Sequence, residues 1–225
     1  MTRAIEAVAF DAYGTLFDVH SVGALAEAMF AGQGARLSAA WRVAQIDYTR
    51  LRTLSDRYED FLKVTEDALV FASKTLGLDL DADRRARLMA QYDCLSAYPE
   101  NVAVLGSLRR MGLKLAILSN GTPAMLDAVL ANAGMQGLFD HVLSVDAIRR
   151  YKTAREAYDL GPAAFGYPPA RIVFVSSNGW DVCGATWYGY RTFWVNRPGN
   201  ALEELGVRPA GEGRDLNDLL AFVGS

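Results

Sequence analysis

The chain has 225 residues, of which 51 % are hydrophobic and 22 % charged, and its net charge is −3. This composition is typical of a soluble globular protein, with room for one large domain or for a core that carries an inserted lobe. No basic run resembles a nucleic-acid-binding stripe, and no apolar stretch reaches the about 18 residues of a membrane helix, so neither nucleic acid nor a membrane is expected as a partner.

The few cysteines and histidines narrow the possible chemistry. Cys94 and Cys183 form no Cys-x-x-Cys pair and no zinc-ligand spacing, so we expect buried, reduced thiols in a cytoplasmic protein. The first residues, MTRAIEAVAF, contain no long apolar segment before a small-residue cleavage site, and no signal peptide is expected. His20 and His141 lack neighbours at ligand spacing, which favours structural roles. Chemistry must then come from carboxylates, Lys, Arg, hydroxyls and amides.

Short apolar runs typical of β-strands alternate with helical stretches along most of the chain. Pro123 fits the first turn of one of these helices, and Asp215 fits the N-cap of another. The predicted strands are 7–10, 114–118, 142–145, 172–175 and 192–195, and the predicted helices are 100–112, 123–134, 154–166, 180–188 and 215–223. This alternation predicts an α/β fold, a doubly wound, mostly parallel sheet with helices on both faces.

Residues 18–97 interrupt the alternation, because amphipathic helical patterns and no convincing strand occur there. The helical segments are ALAEAMF, AAWRVAQIDYTRLRTL, YEDFLKVTEDALVFASKTLG and DADRRARLMAQYDCL. Tyr98-Pro99 marks the return to the core. We therefore predict a core domain of residues 1–17 and 98–225, with a helical cap subdomain of residues 18–97 inserted after the first strand.

Polar residues cluster where the predicted strands end. In open parallel sheets, ligands bind beyond the carboxyl ends of the strands, so we expect these residues to converge on one crevice. They are Asp11 and Thr15 after the first strand, Ser119 and Asn120 after the second, Lys152 beyond the third, and Ser176, Ser177, Asn178 and Asp181 at the fourth.

Asp11 is the candidate nucleophile. It ends an apolar run and precedes a turn of small residues, a place where an aspartate ordinarily caps a turn or helix. The convergence of three other loops favours catalysis instead. A carboxylate is ionised at neutral pH and can attack an electrophile, giving a covalent ester or acyl phosphate.

Four motifs in order carry a family resemblance. FDAYGTLFDV, LSNG, YK and FVSSNGWD resemble the haloacid dehalogenase superfamily and, more narrowly, the (S)-2-haloacid dehalogenases. WRVAQIDYTRLRTL resembles the cap segment of those dehalogenases. The resemblance covers nearly the whole chain and implies a Rossmann-like core with a helical cap.

Two substitutions separate the chain from the phosphatases of that superfamily. Phosphatases carry a second aspartate where Tyr13 stands, and it protonates a leaving alkoxide, whereas a halide leaves without a proton. Ser177 replaces a carboxylate that helps to bind magnesium in those enzymes, and this hard cation needs several oxygen ligands. The resemblance therefore implies a site with no metal and no cofactor, although Asp11 and Asp181 leave weak metal binding open.

The resemblance assigns the departing halide to Arg42, Asn120 and Trp180. A helix arginine is ordinarily solvated, but in the resembling enzymes the position of Arg42 reaches over the active site and offers several preorganised donors. The polarised ring edge of Trp180 would complete the halide-binding site. The alternative is that this ring only fills the core.

Further roles follow from the same resemblance. Lys152 would pair with the nucleophile and keep it ionised, while Thr15 would orient it. Ser119 would take the substrate carboxylate, and Phe61, with Tyr13 and Trp180, would favour a short aliphatic acid. Tyr158 would support the site.

The hydrolytic water is assigned to the fourth motif. Ser176, Asn178 and Asp181 would hold and deprotonate it. Whether Asp181 or the Lys152 network is the base stays open at this point.

The combined prediction is a hydrolase that converts short (S)-2-haloalkanoic acids into (R)-2-hydroxy acids and halide, through an aspartyl ester and with inversion. A magnesium-dependent phosphatase on the same fold is the first alternative, which Tyr13 and Ser177 disfavour. A non-catalytic small-molecule-binding relative is the second. The family also makes a homodimer a possible assembly.

Overall fold

The computed structural model describes residues 5–224. Six strands form one parallel sheet in the order β5-β4-β1-β6-β7-β8, and two short strands, β2 and β3, pair antiparallel outside it. The strands are β1 (Ala7–Phe10), β2 (Phe17–Asp18), β3 (Ser96–Ala97), β4 (Lys114–Ser119), β5 (His141–Ser144), β6 (Ile172–Ser176), β7 (Arg191–Val195) and β8 (Gly211–Gly213). The prediction of a doubly wound, mostly parallel α/β sheet is therefore confirmed.

Five helices follow strands of the sheet or return to them. They are α5 (Asn101–Arg110), α6 (Pro123–Asn132), α7 (Arg155–Phe165), α8 (Gly179–Tyr188) and α9 (Leu216–Gly224). The predicted start signals act as expected: Pro123 lies in the first turn of α6, and Asp215 accepts the Asn217 N–H at 2.7 Å. Every residue of β1 and β6 is buried, because helices cover both faces of the sheet's centre.

Four helices lie between β2 and β3, in the predicted insertion. They are α1 (Val22–Met29), α2 (Gly34–Leu54), α3 (Phe61–Thr75) and α4 (Ala82–Ala90). Trp41 of α2 is buried and donates its ring N–H to the Thr65 carbonyl of α3 at 2.7 Å, which fixes these two helices together. The boundaries of a separate cap subdomain at 17/18 and 97/98 stay a prediction.

Several details differ from the sequence prediction. Cys183 is buried but Cys94 is exposed, because Cys94 ends a short 3-10 helix at the rim of the helical insertion. The strand predicted to end at Val145 ends at Ser144, and Val145 begins a 3-10 helix. Strand β8 has the sequence GEG, which has no apolar alternation, and it forms only because β7 offers a free edge. Among residues 5–224, no helix combines the length and apolarity that crossing a membrane requires.

Candidate active site

The carboxyl ends of three adjacent strands bring the site together. Strand β1 lies between β4 and β6, so Asp11, Ser119 and Ser176 leave the sheet side by side. The loop after β5 adds Lys152, and helix α2 of the insertion adds Arg42. The loops that the sequence placed in one crevice do meet there.

Asp11 is held by three donors from three different segments. Thr15 Oγ1 and Asn178 Nδ2 each donate to its Oδ2 at 2.9 Å, and Lys152 Nζ donates to its Oδ1 at 3.1 Å. The residue is only 6 % exposed. These bonds leave the carboxylate one orientation.

Lys152 is a fully buried cation between two carboxylates. Its ammonium donates to Asp11 at 3.1 Å and to Asp181 at 2.9 Å. Burial alone would lower the pKa of Lys152, but the charges of Asp11 and Asp181 outweigh burial and raise it. The lysine therefore stays protonated and neutralises a site that would otherwise carry two buried negative charges.

Asp181 lies behind Lys152, away from the cavity. It is fully buried, and its Oδ1 accepts the Tyr158 hydroxyl at 2.7 Å while its Oδ2 accepts Lys152. Burial raises the pKa of Asp181 to about 6, although Lys152 lowers it. Because both oxygens are already bonded, Asp181 reaches the cavity through Lys152.

The turn after β6 fixes the direction of the hydrogen bonds at Asp11. The Ser177 N–H donates to Thr15 Oγ1 at 2.8 Å, so the single Thr15 proton is free to point at Asp11. The Asn178 N–H donates to Ser176 Oγ at 3.1 Å, which anchors the next residue of the turn.

The Arg42 side chain extends from α2 to the core. Its Nη2 donates to the Tyr13 carbonyl at 3.1 Å and to Asn178 Oδ1 at 3.2 Å, and its Nη1 donates to Gln45 Oε1 at 2.7 Å. All three acceptors are neutral, so the positive charge of the guanidinium remains available to an anion.

A small chamber lies over Asp11 and opens toward a larger cleft. The chamber is tight, with a cavity volume of about 10 Å³, and the cleft measures about 530 Å³. Arg42, Ile46 and Asn178 line both, so they form the boundary between them. The chamber is lined by Asp11, Tyr13, Arg42, Ile46, Thr49, Phe61, Ser119, Asn120, Asn178 and Trp180.

One wall of the chamber is aromatic. The Tyr13 and Phe61 rings lie 5.5 Å apart, and Trp180 has the Arg50 guanidinium 5.4 Å from its centroid. The buried Tyr13 hydroxyl has no hydrogen-bond partner in the described part of the chain, and burial raises its pKa well above the usual range. Gly121 makes room for this ring, since a Cβ there would lie 2.6 Å from Tyr13.

The loop after β4 presents two polar side chains to the chamber. Ser119 Oγ accepts the Gly121 N–H at 3.1 Å, which leaves its proton free. Asn120 Oδ1 accepts the backbone N–H of Lys152 at 3.1 Å. The side-chain nitrogen of Asn120 therefore lies on the side of the carboxamide away from that bond. Both residues can therefore donate to an anion.

Ser177, which stands where phosphatases have a magnesium carboxylate, turns away from the chamber. Its Oγ accepts Arg197 Nη1 at 3.0 Å, and Arg197 pairs with Glu100 at 2.7 Å. Within residues 5–224, no group of three His, Cys, Asp or Glu residues is placed to hold a metal ion. The Arg197 guanidinium thus lies against the Ser177 side chain, at the position where phosphatases have a magnesium carboxylate.

Sequence reasoning missed the residues of α2 that surround Arg42. Gln45, Ile46 and Thr49 follow Arg42 at intervals of three, four and seven, so they share its helix face. Ile46 and Thr49 line the chamber, and Gln45 bonds Arg42 directly. The helical spacing could have identified them once Arg42 was assigned.

Comparison with known proteins places this architecture in a family. The model of the haloacid dehalogenase-like hydrolases matches residues 5–189. An (S)-2-haloacid dehalogenase of Pseudomonas sp. strain YL is 49 % identical over 205 residues, which are 91 % of this chain and 88 % of that protein. The chain therefore belongs to the haloacid dehalogenase-like hydrolases and, within them, to the (S)-2-haloacid dehalogenase group.

Solved structures agree with this assignment. The crystal structure of an L-2-haloacid dehalogenase that is 59 % identical superposes with a TM-score of 0.97, covering 99 % of this chain and 100 % of that one. The Xanthobacter autotrophicus L-2-haloacid dehalogenase with chloropropionic acid covalently bound is 38 % identical and has a TM-score of 0.90, with 98 % and 99 % of the two chains covered.

Proposed function

We propose that the protein hydrolyses short (S)-2-haloalkanoic acids to (R)-2-hydroxy acids and halide. The observation that carries the proposal is the facing pair in the chamber: an ionised Asp11 held by Thr15, Asn178 and Lys152, and an Arg42 whose partners are all neutral. A nucleophile and an anion-binding donor that line the same small chamber suit displacement of an anionic leaving group.

In the first step, Asp11 attacks the carbon that bears the halogen. A carboxylate oxygen forms the C–O bond while the C–halogen bond breaks, and the halide leaves with its electron pair. Attack from behind inverts the configuration. Arg42, Asn120 and Trp180 receive the halide, which needs no proton, and Tyr13 accordingly occupies the position where phosphatases place an acid.

Ser119 binds the substrate carboxylate in this scheme. Its free proton and the aromatic wall of Tyr13, Phe61 and Trp180 together fit a molecule with one anionic group and a short alkyl chain. The tightness of the chamber, with a cavity volume of about 10 Å³, favours a small acid over a long-chain one.

In the second step, water opens the Asp11 ester. Water adds to the ester carbonyl carbon and gives a proton to the Lys152–Asp181 pair, and the same proton returns to the alkoxide oxygen of the departing hydroxy acid. Asp11 is left with one oxygen from water and releases a proton as it ionises. The pKa of Asp181 near 6 suits it to accept and return that proton. Ser176 and Asn178 hold the turn that positions the water.

A homodimer in the cytoplasm is the remaining part of the proposal. Support for a dimer comes from large apolar side chains exposed on the helical insertion, namely Val43, Leu51, Leu54, Leu62 and Phe71. The free Cys94 and Cys183 are consistent with a reducing compartment. Sedimentation analysis of the wild type and of Leu54→Glu tests the dimer, and a monomeric wild type would contradict it.

Halide release from each enantiomer of 2-chloropropionate tests the activity. The (S) enantiomer should yield chloride and (R)-lactate, and the (R) enantiomer should yield none. Activity should persist in excess EDTA, because no step uses a metal. Chloride release that EDTA abolishes, or equal turnover of the two enantiomers, would contradict the proposal.

A further inference from the structure

Arg42 is supported by a buried amide that the reaction scheme does not use. Gln45 has no exposed surface, although an uncharged polar side chain on a helix usually reaches solvent. Its Oε1 accepts Arg42 Nη1 at 2.7 Å, which is the shortest of the three bonds described for the guanidinium. We infer that Gln45 is a positioning residue that sets the orientation of Arg42 over the chamber.

A chain of hydrogen bonds fixes which end of the Gln45 amide faces Arg42. The Thr65 hydroxyl donates its single proton to the Phe61 carbonyl at 2.6 Å, so it can only accept from its other neighbour. Gln45 Nε2 supplies that bond at 2.7 Å. The amide nitrogen is therefore turned toward α3, and the amide oxygen must face the guanidinium.

The Gln45 amide also lies near a buried phenol, Tyr92. Burial raises the pKa of Tyr92 to about 12, although the charge of Arg42 and the Gln45 side chain lower it. Tyr92 also packs on Trp41, with ring centroids 5.0 Å apart. Rotating the Gln45 amide would therefore break its bonds to both Arg42 and Thr65.

The neutrality of Gln45 matters as much as its position. A glutamate there would also hold Arg42, but it would neutralise the charge that attracts the substrate and the halide. Among the ion pairs of residues 5–224, none involves Arg42, whereas Arg52, Arg84 and Arg197 each pair with a carboxylate. Gln45 therefore supports Arg42 without neutralising it.

This inference rests on the proposed function, because halide is the readout. The test compares Gln45→Met, which keeps the volume and loses the acceptor, with Gln45→Glu, which keeps the acceptor and adds a charge. Gln33→Glu is the matched control, since Gln33 accepts Arg36 at 2.9 Å in an exposed pair at the start of the same helix. Each variant is assayed for kcat, KM, inhibition by bromide and thermal midpoint.

We expect Gln45→Met to lower kcat about 10-fold or more, because a small misplacement of a donor weakens transition-state contacts. Gln45→Glu should weaken bromide inhibition and raise KM for the anionic substrate, also by about 10-fold, while Gln33→Glu changes neither. A purely structural role would shift the thermal midpoint of the Gln45 variants and leave kcat and bromide inhibition of the folded protein unchanged.

If the Gln45 variants do not fold, Thr65→Val tests whether Gln45 positions Arg42. It removes the acceptor that orients the amide and leaves Gln45 in place, so it should lower kcat and weaken bromide inhibition in the same direction. Wild-type values of both quantities in Gln45→Met and Thr65→Val would overturn the inference. A wild type that releases no halide would instead overturn the proposed function, so the two failures are distinguishable.

Discussion

The side chains of Arg42 and Asn178 meet where helix α2 lies against the loops that follow β1 and β6. Arg42 Nη2 donates to Asn178 Oδ1 at 3.2 Å, and Asn178 Nδ2 donates to Asp11 at 2.9 Å. One carboxamide thus connects the nucleophile with the donor across the chamber. Asn178 therefore contributes to the spacing between Asp11 and Arg42, on which displacement depends.

Replacing Arg42 by alanine should separate catalysis from stability. Losing one preorganised charged donor typically lowers kcat by about 10²–10³, so Arg42→Ala should fall in that range. The side chain is only half-buried, and the thermal midpoint should change little. Steady-state halide release and thermal unfolding measure the two effects.

Arg36→Ala is the control for that experiment. Arg36 lies exposed on the same helix and bonds only Gln33 among its described hydrogen bonds, so its removal should leave kcat unchanged. A loss for Arg42→Ala no larger than for Arg36→Ala would mean that Arg42 does not receive the halide.

The Tyr13 hydroxyl should be dispensable. It is buried without a hydrogen-bond partner in the described residues, and an unsatisfied buried polar group costs about 1–3 kcal/mol. Tyr13→Phe should therefore raise the free energy of unfolding by about 1 kcal/mol and keep kcat within about threefold, which is less than 1 kcal/mol of barrier. Chemical denaturation and halide release measure these quantities, and a loss of 10²-fold or more would show that the phenol acts on the substrate.

The pH dependence should reflect Asp181. As pH falls through its pKa of about 6, Asp181 becomes protonated, Lys152 loses one of two anionic partners, and the hydrolytic step loses its base. The value of kcat should thus decline on the acid side near pH 6. The pKa of Lys152 is raised, because Asp11 and Asp181 outweigh burial, so no decline from its deprotonation is expected below about pH 10.

Over the same acid range the free energy of unfolding should increase as pH falls, whereas activity decreases. The folded-state pKa of Asp181, about 6, lies above the unfolded value near 3.9, so its contribution is present below pH 3.9 and is lost as pH rises through 6. Asp181→Asn removes this titration. Identical pH profiles of kcat for wild type and Asp181→Asn would assign the decline below pH 6 to another group.

Much of the core was predictable because local pattern and fold agree there. Buried parallel strands have continuous apolar sequences, and polar residues directly after them must lie at one sheet edge, which located Asp11, Ser119 and Ser176. Strand β8 was missed, since the sequence GEG has no strand pattern and depends on the edge of β7. The exposure of Cys94 likewise depends on how the insertion ends.

The helical insertion was predicted in outline and not in detail. Amphipathic patterns locate α2, but they do not show which polar residue of its buried face meets the chamber. In the sequence Gln45 is an ordinary helix residue. Its role depends on the bond to Thr65 of α3 and on the contact of Arg42 with the core. The orientation of Asp181 behind Lys152 was equally hidden, because it depends on Tyr158 from another helix.

Asp11→Asn should abolish turnover without unfolding the protein. An amide nitrogen is a poor nucleophile and carries no charge for Lys152 to balance, so halide release should fall below detection. The exposed Asp47→Asn on α2 serves as the control and should match the wild type. Halide release at the wild-type rate by Asp11→Asn would show that Asp11 is not the nucleophile.

The covalent role of Asp11 is tested most directly by a single turnover in ¹⁸O-labelled water, with excess enzyme over (S)-2-chloropropionate. Because water attacks the ester carbonyl of the enzyme, mass spectrometry should find the label in the peptide that contains Asp11 and not in the lactate. Label in the lactate with none in that peptide would mean that water displaces the halide directly, and it would contradict the account.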